Sequence, residues 1–175
     1  RRVNTNADNL NFTTSFAAHV AWILAKQMKS SSQTMRADPI SIRSSIMHNG
    51  EVSLESCLDF IWGLNIAVLP LDIKKGFHGA CFDFEDRKVI VLNQQTDTVS
   101  RWKFDLLHEL YHSLTMDYDA YIERVDIMQQ NDEEEKSASD FASFVIFGQE
   151  VDSFIKIVLD RSKGSAELIK NNIID

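Results

Sequence analysis

Phe104-Asp105-Leu106-Leu107-His108-Glu109-Leu110-Tyr111-His112 is the stretch from which the rest of the chain is read. His108 and His112 stand four residues apart, and Glu109 directly follows the first of them. On a helix, residues four apart share one face, a turn above each other. Two imidazoles so placed can grip one Zn2+ through ring nitrogens at ~2.0–2.1 Å. Glu109 sits beside the pair, where its carboxylate reaches a water on the metal rather than the metal itself. Zinc lowers that water's pKa toward ~7, and the carboxylate takes its proton as the water attacks a carbonyl. With five histidines and ten glutamates in 175 residues, chance supplies roughly 0.008 matches to His-Glu-x-x-His, so coincidence is the weaker explanation. The motif also falls on a helical pattern: Phe104, Leu107, Tyr111 and Leu114 recur at helical spacing, and Thr98 or Ser100 can cap its start.

Upstream of this helix the pattern alternates as strands do. Residues 65–69 read as a strand closed by Pro70. Residues 80–84 and 88–92 read as two strands joined by a turn at Glu85-Asp86-Arg87. Farther upstream, Asp38-Pro39 marks a helix start and Asn49-Gly50 its stop, with His48 as a C-terminal residue favoured by the dipole. Ser53 caps a helix carrying Leu54, Cys57, Leu58, Ile61 and Trp62. Residues 1–11 read as a polar lead. After them Phe12, Phe16, Val20, Ile23 and Leu24 form a helical stripe, capped by Thr13, Thr14 or Ser15, that is expected to pack onto the main domain. Docking of a partner is the sharper alternative for that stripe.

Downstream, residues 125–130 are weakly helical. Asp132-Glu133-Glu134-Glu135 opens a longer helix with Ala138, Phe141, Ala142, Val145 and Ile146 on one side, and acidic residues suit its first turn. Gly148 interrupts it. Two more helices are expected, one around residues 151–158 and one from Ser165 to near Ile174. The fold class expected is α+β: a small three-stranded sheet packed with the His108 helix and several others. It divides into an N-terminal helical extension (1–52), a core (53–150) and C-terminal helices packed on that core (151–175).

Composition narrows the function. The chain has the apolar and charged content of an ordinary globular domain, and its net charge of −8 comes with no basic stripe, so this segment is a poor grip for nucleic acid. Cys57 and Cys81 form no C-x-x-C pattern and each lies in an apolar run, as buried reduced thiols do in a cytoplasmic protein. No apolar run approaches ~18 residues, so no transmembrane span is expected. The chain opens on Arg1-Arg2 with no initiator methionine and no signal-peptide pattern, as expected of a fragment or a processed product.

A catalytic zinc takes three protein ligands and keeps one open position. The longer motif with a third histidine fails here, since Thr115 stands where its glycine is needed and Tyr118 where its histidine is. A carboxylate farther on is expected instead. Glu135 is the best candidate because it lies three and seven residues before Ala138 and Ala142, whose small size lets the two helices approach. Glu134 is the runner-up, and Asp140 and Glu150 are weaker. Tyr111, Tyr118, Tyr121 and His78 are candidates to stabilise an oxyanion or hold substrate.

These residues resemble the ImmA/IrrE metallopeptidases. Val89-Ile90-Val91-Leu92-Asn93 is similar to the family's strand, and Arg101-Trp102-Lys103-Phe104 leading into His108-Glu109-Leu110-Tyr111-His112 to its helix. Glu135-Lys136-Ser137-Ala138-Ser139-Asp140-Phe141-Ala142 is similar to its third element, and Leu64 to Leu71 to its first strand. The likeness spans roughly residues 53–150. Tyr111 replaces the usual glycine, Ser139 stands where Asn or Asp is common, and Val145-Ile146-Phe147-Gly148 replaces a Leu-Leu-Met-Pro tail. The resemblance implies a zincin-like fold, Glu135 as third zinc ligand, and a protein partner, in many members a helix-turn-helix repressor that is cleaved or fused upstream.

The expectation is therefore a zinc endopeptidase in which His108, His112 and Glu135 hold the metal and Glu109 is the general base. An extended substrate would add to an exposed sheet edge, with residues 80–84 the candidate. The acidic chain favours a basic partner through steering. The alternative is a regulatory module that keeps the metal site without peptidase activity. The intact Glu109 argues against it, as does the distance of both cysteines from the motif, since structural zinc sites are commonly closed by four ligands including Cys.

Overall fold

The computed structural model describes residues 5–30, 35–73, 77–115 and 132–150. They form an α+β fold: helices α1 (Thr5–Ala25), α2 (Pro39–Ile46) and α3 (Leu54–Gly63), strands β1 (Ala67–Leu71), β2 (Gly79–Asp83) and β3 (Lys88–Asn93), then helices α4 (Val99–Thr115) and α5 (Asp132–Phe147), with a 3-10 turn at Gly148–Glu150. The helices expected within residues 116–131 and 151–175 lie outside the described residues. Among the described residues no helix is long and apolar enough to cross a membrane.

β3 is the centre of the sheet, with β1 parallel on one side and β2 antiparallel on the other. Its residues explain the placement. Val89, Ile90, Val91 and Leu92 are all buried, so both faces of the strand are covered. Successive side chains point to opposite faces. Ile90 and Leu92 join the core built with α3, α4 and α5, while Val89 and Val91 join a second cluster with α1. The sheet is thus the middle of three layers. Full burial of each such side chain is worth about 1.5–3 kcal/mol.

The β2–β3 hairpin forms as its sequence predicts. Glu85 and Asp86 both take positive φ, 55° and 64°, and Phe84 and Arg87 exchange backbone hydrogen bonds across them. That is the two-residue turn whose twist matches paired strands. β1 runs two residues past its expected end and includes Pro70, which is exposed on an edge strand where its missing N–H costs no ladder bond.

The helix ends follow their caps. Asp38 accepts a hydrogen bond from Ser41 N at 3.1 Å, with Pro39 at the first helical position. Ser53 and Ser56 form a reciprocal capping box on α3. His48 departs from expectation. α2 ends at Ile46, and His48 instead pairs with Glu51 in a β-bridge around the Asn49-Gly50 turn, where both φ angles are positive.

α1 corrects the sequence reading more substantially. It begins at Thr5, ahead of the expected cap, and packs through Ala17, Ala21 and Ala25. Phe12 (70%), Phe16 (45%) and Ile23 (48%), expected to make that contact, are exposed. The small residues at four-residue spacing let the helix backbone lie close over the sheet, and the large ones are turned outward as a result.

Candidate metal centre

α4 crosses the sheet beside β2 and α5 packs along α4. Ala138 and Ala142 are wholly buried, which allows this close approach and brings the first turn of α5 over the His-Glu-x-x-His motif. The donor atoms of three residues converge there. His108 Nε2 and His112 Nε2 are 3.3 Å apart. Glu135 Oε2 lies 3.2 Å from the first, and Glu135 Oε1 lies 3.1 Å from the second. Donors of these three residues lie close enough together to share one metal ion.

Two further observations fit a cation. Glu135 Oε1 is buried without a hydrogen bond, although His112 Nε2 is only 3.1 Å away. Burial and the charge of His112 lower the pKa of His108, outweighing the opposite pull of Glu135. A neutral imidazole is the form that binds metal. His108, His112 and Glu135 together form a group that can hold a metal ion.

Glu109 stands outside that set. It is buried, and its carboxyl is pushed up to about 8 by burial first and then by the charges of Glu135 and Asp105. Gly79, the first residue of β2, makes room for it: a Cβ at this position would come within 2.5 Å of Glu109 Oε1.

The loop that delivers Gly79 is held by Asn93. Its Oδ1 accepts from Ile73 N at 2.8 Å, its Nδ2 donates to Phe77 O at 2.9 Å, and its own N–H donates to His78 O at 2.8 Å. One buried asparagine therefore clamps both sides of the loop between β1 and β2. A further buried polar contact joins Asp105 with Gln94, whose amide donates to Oδ2, while Arg101 Nε reaches the same oxygen at 2.9 Å. Burial raises the Asp105 pKa and Arg101 opposes it. The sequence reading missed this pair. The i,i+4 spacing of Arg101 and Asp105 was the available signal for one half of it.

The remaining candidates separate. Tyr111 packs its ring on Phe141 at 5.5 Å and edge-on to His112 at 5.9 Å, which is core packing beside the site. His78 is exposed, close enough to act on the charge of Asp105, and outside the ligand set. Glu134 reaches His112 Nδ1 rather than Nε2. Asp140 is exposed and outside the set, the Glu150 side chain is not described, and Tyr118 and Tyr121 lie outside the described residues.

No known protein-family profile matches the chain, and no curated protein shows significant similarity to it.

Proposed function

We propose that this chain is a zinc-dependent endopeptidase of the ImmA/IrrE kind, acting on a protein partner. The observation that carries the proposal is the triangle of His108, His112 and Glu135 donors with Glu109 beside it but not part of it. Two neutral imidazoles and one carboxylate suit Zn2+, and three protein donors leave a position open. When bound, zinc would supply Lewis acidity and a fixed positive charge, to polarise a carbonyl, acidify a water toward ~7 and lower the Glu109 carboxyl that burial, and then the charges of Glu135 and Asp105, raise.

The chain's own groups do the rest. Glu109 accepts a proton from the attacking water and returns it to the leaving amine. Its buried seat against Gly79 excludes bulk solvent and limits its rotamers. β2 lies at the sheet edge next to α4, where an extended peptide can add as a further strand and bring its carbonyl to the site. The resemblance to ImmA/IrrE proteins supports a helix-turn-helix repressor as that partner, and the net charge of −8 favours a basic one. The buried free thiol of Cys57 supports a reducing compartment, the cytoplasm.

The test is cleavage of a diverse peptide library by the zinc-loaded chain, read by mass spectrometry, with Glu109→Gln as the control. The expected result is a defined set of products that falls at least ~10²-fold with Gln at this position. Zinc held by both proteins and products from neither would reject the peptidase and leave a metal-binding regulatory module.

A further inference from the structure

Consecutive carboxylates on α5 bracket a single ring. Glu135 Oε1 lies 3.1 Å from His112 Nε2, and Glu134 Oε1 lies 3.4 Å from His112 Nδ1. The ring between them is nearly buried, with 9% of its side chain exposed. A neutral imidazole carries one N–H and one lone pair, and which nitrogen holds the proton follows from what the other atoms around it accept.

We propose that Glu134 is a positioning residue of the metal centre: its carboxylate accepts a hydrogen bond from Nδ1–H of His112, fixing both the ring's orientation and the tautomer that leaves Nε2 free for the ion. The inference rests on the metal-centre reading above and adds a residue to it. The geometry is self-consistent. With the proton on Nδ1, the lone pair of Nε2 faces Glu135 Oε1 and His108 Nε2, the atoms with which it would share an ion. Glu134 itself is excluded from ligation, because it meets the nitrogen that points away from the other donors. His108 is treated differently: its Nδ1 meets a neutral hydroxyl, Ser139 Oγ, at 3.4 Å. The charged acceptor therefore lies on the second histidine of the motif. A carboxylate in this role makes the ring a better donor to metal, and loss of such a partner typically costs 10–100-fold in metal affinity.

The test uses the full chain. Zinc affinity is measured by competition with a chromogenic chelator for the unchanged protein, Glu134→Ala and Glu134→Gln, and the His112 ring nitrogens are observed by 15N NMR in the metal-free proteins. The expected result is about 10–100-fold weaker binding with Ala. Gln should fall between the two, since its amide oxygen still accepts the Nδ1 proton but brings no charge. The ring spectrum should show Nδ1 protonated in the unchanged and Gln proteins, and a tautomer mixture with Ala. Equal affinity for all three would overturn the role of Glu134 while leaving the metal centre intact. No zinc binding by the unchanged protein would overturn both. Should the Ala variant not fold, the spectrum of the unchanged protein decides alone: a proton on Nε2 would reject the proposal.

Discussion

Gly79 lies directly against the carboxylate of Glu109, so that a methyl group at position 79 would stand 2.5 Å from Oε1 and 2.7 Å from Cγ. The contact joins the mouth of β2 to the motif helix. Gly79→Ala must displace either the strand or the glutamate. Overpacking of this kind costs about 1–3 kcal/mol, which lowers Tm by roughly 2–12 °C in a chain of this size. Zinc stoichiometry should be unaffected, because Glu109 is not a ligand, while hydrolysis should fall. Thermal melts and metal analysis of the variant check this, and a variant with unchanged Tm would show that the contact is not tight.

The buried Glu109 carboxyl makes the metal-free protein pH-sensitive. Its folded pKa is about 8 against an ordinary 4.5, so the folded state holds a proton that the unfolded state has released. Stability from the protonated form is complete below the unfolded value and is lost as pH rises through the folded one. Glu109→Gln cannot ionise. Metal-free Glu109→Gln should therefore match the unchanged protein near pH 4 and exceed its Tm by on the order of 10 °C at pH 9. Paired melts across that range measure it; a gap that widens toward acid would contradict the assignment.

Asn93 is predicted to matter beyond its size. Replacement by alanine removes the partners of Ile73 N–H and Phe77 C=O together. Leaving two such groups unsatisfied costs about 2–4 kcal/mol. Asn93→Ala should melt several degrees lower and show faster amide exchange at Phe77 to Gly79, the approach to Glu109. Exchange unchanged in that segment would mean that the strand pairing alone holds it.

Cys57 is wholly buried and its thiol is pushed up to about 12, chiefly by burial. At pH 8 almost none of it is thiolate, the reactive form. Iodoacetamide should leave Cys57 unmodified in the folded protein and alkylate it fully in denaturant, as peptide mapping by mass spectrometry will report. Rapid labelling of the folded protein would contradict the burial.

The site was largely legible in the sequence because its elements are local. His108, Glu109 and His112 share one helix, and the spacing of Glu135 from Ala138 and Ala142 identifies the face that meets them. What was not legible depends on partners distant in the chain. Which face of α1 is buried turns on how close the sheet lies, so Ala17, Ala21 and Ala25 outcompete the larger Phe12, Phe16 and Ile23. The parallel pairing of β1 with β3 skips the intervening strand, and no local pattern encodes it. Gln94 and Asp105 are polar, and hydrophobic periodicity does not register a buried polar pair. The role of Glu134 depends on which nitrogen of His112 it meets, a matter of ring orientation.

The most direct measurement of the central claim is zinc content per chain after purification without added metal and after titration, for the unchanged protein and Glu135→Ala. About one equivalent is expected in the unchanged protein and a loss or sharp reduction in the variant, since Glu135 is one of the three residues proposed to hold the ion. Full zinc retention by Glu135→Ala, or no uptake by the unchanged protein on titration, would contradict it.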